Sequence, residues 1–327
     1  MDQIERYLEV FEQLRARKRW STGVDVLRFA ALTLAAADVD TVELNLEATA
    51  RKLAGEGGAF SPLGSSIRHA VAAILIRRDL DPVTVVQNTK KTLASFKAHR
   101  LQRSGLRPLL AALVLVLDAN GGVPHRARVA RMQAIIVRWK KDHRWLTGTD
   151  DYPMAALHAT RDADVELIGL EVEEIYQQLK RERFRAGEQL QLASHLLAFS
   201  GLGPQEATLR FQRVASELRR CGQRIGTRHY DELALLAVSG LSARDAVARV
   251  IEYRDRLRAV RPRPAADIAL SIAAGVVLAA AADEAGEIED AAEAAGLRAV
   301  QAMIEAQQAA MVASIAAVSA ATTVAAS

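Results

Sequence analysis

RMQAIIVRWKKDHRWLTGTDDYPMAALHATRDADV, residues 131 to 165, holds the pattern that decides the fold. Met132, Ile135, Ile136 and Trp139 recur at steps of three, one and three, which predicts a helix with one buried stripe. Lys140, Lys141, His143 and Arg144 follow, cations that suit the partial negative charge of a helix C-terminus. One large apolar residue, Trp145, stands past that end. Thr147, Gly148, Thr149, Asp150 and Asp151 then supply turn and N-cap chemistry. Pro153 fits the first turn of a second helix running from Met154 to about Thr160. The unit is a helical hairpin with a marker residue between its arms.

The same unit recurs along the chain, with markers at Trp20, Phe60, Leu101, Trp145, Phe184 and Ile225, a mean step of 41 residues. Five to seven residues before each marker stands an apolar anchor: Leu14, Leu53, Phe96, Trp139, Leu179 and Leu218. After each comes an Ala/Leu-rich second arm, among them LRFAALTLAA from Leu27, LLAALVLVL from Leu109 and LASHLLAF. A degenerate seventh copy occupies about 249 to 282, where Pro262 and Pro264 replace the aromatic marker. The period falls in the range of HEAT and armadillo repeats and above the roughly 34 residues of tetratricopeptide repeats, and neither consensus is present. The expectation is an all-α chain whose seven hairpins stack into one curved α-solenoid over residues 1–283. With neighbouring helices roughly 8 to 10 Å apart, such an array would trace an arc of about 60 to 70 Å. Asn120, Gly121, Gly122 and Pro124 form its longest polar break and read as a loop.

Composition agrees with a helical, soluble protein. Half of the 327 residues are apolar and only 5% aromatic, enough for a large core built from helices rather than sheets. The single cysteine, Cys221, excludes an internal disulfide framework and a cysteine-rich metal site. The N-terminal MDQIERYLEVFEQL is charged and amphipathic, lacking the apolar run of a secretory signal, and a cytoplasmic location is expected.

The second arms are apolar nearly all round, so they should form the inner layer, with the charged first arms outside. From residue 284 to 327 the chain is acidic and then Ala-rich, with Leu297, Val300, Ile304, Met311, Ile315 and Val318 near the spacing of an interhelical seam. That segment reads as a terminal capping helix or a self-association helix. Residues 265 to 282 are long enough for a membrane helix, but Asp267 lies inside them.

Three groups of residues raise the question of chemistry. Between Asn88 and Arg144 thirteen Lys/Arg face only Asp118 and Asp142, as a polyanion-binding surface would require. Most of them cluster at the ends of first arms, however, where dipole complementation accounts for them. Asp150, Asp151, Tyr152, His158, Arg161, Asp162 and Asp164 form the densest polar group beside an apolar arm. Carboxylates beside a histidine can bind a ligand or move protons, while Asp150 or Asp151 also suits a helix N-terminus and Asp162 with Asp164 falls in the next turn. His69, His158 and His195 lie on second arms, 9, 13 and 11 residues past their markers, so a shared metal site is not expected. Cys221, in RRCGQ, reads as an inert thiol at a helix end. No phosphate-binding loop, GxGxxG, HExxH, zinc pairing or GxSxG occurs, and no cofactor is expected.

RYLEVFEQLRARKRW, LTGTDDYPMAAL, EQLQLASHLLAFS and AMIEAQQAAMVASIAA together resemble the bacterial family known as domain of unknown function 4003. The resemblance runs over most of the chain and implies a cytoplasmic bacterial protein, with no activity or functional residue to carry over.

These readings favour a non-enzymatic interaction scaffold that binds a protein or peptide on a concave face. An enzyme or small-ligand protein is the alternative, with a pocket near hairpins four to six built from Asp150, Asp151, Tyr152, His158 and His195. Association with a membrane or polyanion through the basic middle or the Ala-rich tail is a third, less favoured, and the C-terminal helix offers a route to homo-oligomers.

Overall fold

A computed structural model describes residues 2–16, 24–35, 42–57 and 67–285, and in these every regular element is helical. The fourteen α-helices are α1 (Gln3–Ala16), α2 (Val24–Ala35), α3 (Val42–Gly57), α4 (Arg68–Arg77), α5 (Pro82–Ser95), α6 (Leu106–Asp118), α7 (Arg126–Asp142), α8 (Tyr152–Ala159), α9 (Val165–Arg181), α10 (Glu188–Phe199), α11 (Pro204–Arg220), α12 (Tyr230–Ala237), α13 (Ala243–Ala259) and α14 (Ala266–Ala285). Among the described residues there is no strand. Markers Trp20 and Phe60 lie outside the described residues, as does all of the C-terminal segment beyond Ala285.

The chain divides into two compact units, one ending at Gln133 and the other beginning at Ala134. In the first, α1 packs on α2, α2 and α3 on α4, and α5 on α3 and α6. In the second, α9, α11 and α13 pack in succession, α8, α10, α12 and α14 do likewise, and α9–α10, α11–α12 and α13–α14 form hairpins. In the second unit odd-numbered helices thus pack on odd and even on even, besides the odd–even contacts within each hairpin.

Burial separates the two kinds of helix as the apolar pattern predicts. Leu14, Leu53, Phe96, Trp139, Leu179 and Leu218, the six anchors, are all buried. Each contributes about 1.5 to 3 kcal/mol as an apolar side chain removed from water. The even-numbered helices bury far more of their length: Pro108 through Val116 of α6 and every residue of α8. The odd-numbered helices α9 and α11 bury a stripe and leave the opposite face to water.

Polar side chains start three of the odd helices, and left-handed residues follow the anchors of three. Asp81, Asp164 and Ser242 cap α5, α9 and α13 by accepting from backbone N–H groups of the first turn. After the anchors, Arg100, Arg183 and Gly222 take positive φ, and the next residue's N–H returns to the anchor carbonyl: Leu101 to Phe96, Phe184 to Leu179, Gln223 to Leu218. This six-to-one bond brings the residue after the left-handed one back against the helix. Leu101 and Phe184 occupy that place and are buried. Trp145 stands six residues after its anchor, receives no such bond, and is 94% exposed.

The even helices carry their own repeated cap. Arg78, just past α4, donates to the Leu117 carbonyl of α6 at 3.0 Å. Arg161, just past α8, donates to Phe199 O at 2.8 Å and Ala198 O at 3.3 Å in α10. In each case a guanidinium just past one even helix satisfies late carbonyls of the next even helix.

Candidate functional site

The second unit contains a buried polar cluster built from α7, α8, α10 and the turn before α8. Trp139 lies on the buried stripe of α7, and the His195 ring packs on it with centroids 3.8 Å apart. His158 meets the same indole edge-on at 5.5 Å, and its Nε2 lies 3.0 Å from the His195 carbonyl oxygen. Phe199 closes the other side of His158, with centroids 5.3 Å apart. Both histidines are fully buried because α8 and α10 have no solvent face to offer them.

Asp151 comes from the 3-10 turn Thr149–Asp151. Its Oδ2 accepts the Gly148 N–H at 2.8 Å, which fixes the turn, and its Oδ1 lies 3.7 Å from His195 Nε2. That separation is too long for a hydrogen bond. The Asp151 side chain is 14% exposed, so the cluster reaches the surface through this carboxylate. Gln191, one turn before His195 on α10, donates to Thr147 Oγ1 at 3.1 Å.

Several buried polar atoms here have no hydrogen-bond partner among the described residues: both ring nitrogens of His195, Trp139 Nε1 and Gln191 Oε1. Leaving such atoms unpaired typically costs about 1 to 3 kcal/mol each, and unpaired groups of this kind gather where a protein uses them. Among the described residues no group of three His, Cys, Asp or Glu is placed to hold a metal ion.

Asp151, His158 and His195 therefore come together. Asp150 is exposed, Tyr152 is buried at the start of α8, and Arg161 caps α10. Asp164 caps α9, and Asp162 is exposed beside it. His69 belongs to the first unit, where its Nε2 lies 3.3 Å from Glu47 Oε2 and burial holds its pKa below the usual value. Cys221 follows the last turn of α11 and is exposed. The cations of the basic stretch are partly matched: Arg128 pairs with Asp118 at 3.9 Å, Lys141 with Glu166 at 3.6 Å, and buried Arg138 with Asp142 and with Glu166 at 2.7 Å.

Two further features escape a sequence reading. Trp139 is legible as an anchor but not as the surface against which two histidines pack. Glu232 sits in the apolar arm of α12 and is buried, accepting a hydrogen bond from Ser271 Oγ of α14. Burial, reinforced by neighbouring Asp231, pushes its carboxyl well above the ordinary range. The only signal for it was an acid inside an apolar run.

The features above define an all-helical protein of neighbouring helix pairs with a tryptophan–histidine cluster in its second unit. The chain belongs to the family described as protein of unknown function (DUF4003), whose model matches residues 10–309. It is similar to the uncharacterized protein YeaA of Bacillus subtilis strain 168, at 23% identity over 242 residues, 72% of each chain. No solved structure matches it. Among the described residues no helix is long and apolar enough to cross a membrane.

Proposed function

We propose that this chain is a helical-hairpin scaffold that binds a protein or peptide partner in the cytoplasm. In this reading seven hairpins form one curved array over 1–283, and 284–327 caps it or joins two copies. The observation that carries the reading is the alternation of neighbours in the second unit, where odd helices pack on odd and even on even. That is how a stacked array shares its core, each hairpin burying the apolar face of the next while one layer stays open to a partner. A protein or peptide is preferred to a nucleic acid or membrane because the cations sit at helix ends and in ion pairs. Immobilised full-length protein, challenged with lysate of its native cells, should retain a defined partner that a heat-denatured control does not. Retention of nothing beyond that control counts against the scaffold.

A second reading, a small-ligand site, is favoured by one observation: fully buried His195 has two ring nitrogens without a hydrogen-bond partner among the described residues, with Asp151 3.7 Å away. A metabolite panel screened by thermal shift should contain a compound whose stabilisation disappears in Asp151→Asn. If every shift survives that substitution, the cluster is structural.

A further inference from the structure

We propose that the outward face of α9 and α11 is the docking surface for a basic amphipathic helix. Its apolar side chains would meet Leu167, Leu170 and Leu209, and its Lys or Arg would meet Glu171 and Glu174. This rests on the scaffold reading and adds to it the surface and the partner's chemistry.

The apolar part is set by the repeat. Leu170 is 55% and Leu209 38% exposed, and each stands nine residues before the buried anchor of its helix, Leu179 or Leu218. They are therefore the same position in successive hairpins, on helices that pack side by side. Leu167, one turn before Leu170, is exposed as well. Across the seam Gln205 Nε2 donates to Glu174 Oε1 at 2.6 Å. Glu174 lies one turn after Leu170 and Gln205 one turn before Leu209, so this bond sits between the leucines of the two helices, on the face they share. From Leu167 to Glu174 and on from Gln205 to Leu209 is about 16 Å of helical rise, or three turns of a partner helix.

The charge of that face selects the partner. Glu166, at the α7 seam, is already matched by Arg138 and Lys141. Glu174 accepts only amide hydrogen bonds, from Gln178 and Gln205, and neither Glu171 nor Glu174 has an ion pair among the described residues. Burial pushes the Glu171 carboxyl up while Arg161, whose Nη1 donates to the α10 carbonyls, draws it down without an ion pair. On the far side Arg210 is matched by Glu206 at 2.7 Å, and Arg213 bounds the negative stretch one turn beyond Leu209. Two carboxylates without an ion pair among the described residues, beside three exposed leucines, suit a helix with apolar anchors at three-four spacing and cations beside them.

The test uses the full chain and a labelled helical peptide of about 16 residues with three Leu at that spacing, made in a Lys-flanked and a Glu-flanked form. Fluorescence anisotropy should show the Lys form binding at least about tenfold more tightly than the Glu form, and losing that margin as salt is raised. Leu170→Ser with Leu209→Ser should cost about tenfold or more, while Glu171→Gln with Glu174→Gln should bring both peptides to the same affinity. The carboxamide pair carries the test if the serine pair lowers helicity. Equal binding of the two peptides, indifference to both double variants, or a dimer of the free protein that Leu170→Ser dissolves overturns the proposal. A lysate partner that both variants still retain leaves the scaffold standing and removes this site from it.

Discussion

The imidazole of His195 lies against the indole of Trp139, ring centroids 3.8 Å apart and planes inclined by 34°, with no hydrogen bond to either imidazole nitrogen among the described residues. The indole fills the space between α7 and α10, so Trp139→Ala should cost about 3 to 5 kcal/mol in denaturant unfolding. His195→Leu has the opposite expectation. It removes two unpaired polar atoms from the interior at similar volume, so stability should hold or rise by about 1 kcal/mol. A loss above roughly 2 kcal/mol would show that the imidazole has a partner in the folded protein.

Glu232 gives a pH dependence whose sign is fixed by its buried carboxyl. The folded value is raised above the ordinary 4.5, so the folded state holds a proton that the unfolded chain releases. Its stabilisation is complete below about pH 4.5 and fades as pH rises toward the folded value. Glu232→Gln keeps an acceptor for Ser271 and has no proton to lose. The variant should gain on the wild type as pH rises from 5 to 8, read from unfolding midpoints at each pH. Parallel curves would mean that Glu232 titrates alike in both states.

His69 acts in the other direction. Burial, partly offset by the hydrogen bond to Glu47, holds its folded pKa below 6.5, so the ring stays neutral when the unfolded chain has begun to protonate. Its contribution is present above about pH 6.5 and is lost as pH falls through the folded value. His69→Gln should flatten stability between pH 7 and 5 relative to the wild type. An unchanged slope contradicts this assignment.

Gly169 tests the α7–α9 contact. A Cβ added there would stand 2.5 Å from Arg138 Cγ and 2.6 Å from Nε, in a side chain that is itself buried and paired with Glu166. Helix propensity favours Ala over Gly by about 1 kcal/mol. Displacing a buried, paired guanidinium costs more than that, so Gly169→Ala should destabilise by about 1 to 2 kcal/mol. Gly169→Ala combined with Arg138→Met should recover part of the loss.

The helices and their buried anchors were legible because a buried stripe must keep the period of a helix. The marker residues were less so, and Phe184 and Trp145 show why. Each is a large apolar residue just after an odd helix, yet Phe184 is buried and Trp145 lies in water. The difference is one residue of spacing from the anchor and a left-handed turn at Arg183, a residue type that does not advertise positive φ. Asp151, His158 and His195 stood out as polar residues beside apolar arms. That they share Trp139 depends on packing between helices far apart in sequence, which periodicity does not encode.

The binding claim is tested most directly by photocrosslinking in native cells with benzoylphenylalanine at position 170, alongside the same probe at Ala248. Ala248 is the matching exposed position of α13, nine residues before buried Leu257. The account predicts discrete adducts from position 170 that fade in the Leu209→Ser background and do not form from position 248. No adduct from 170, or the same adducts from both positions, contradicts it.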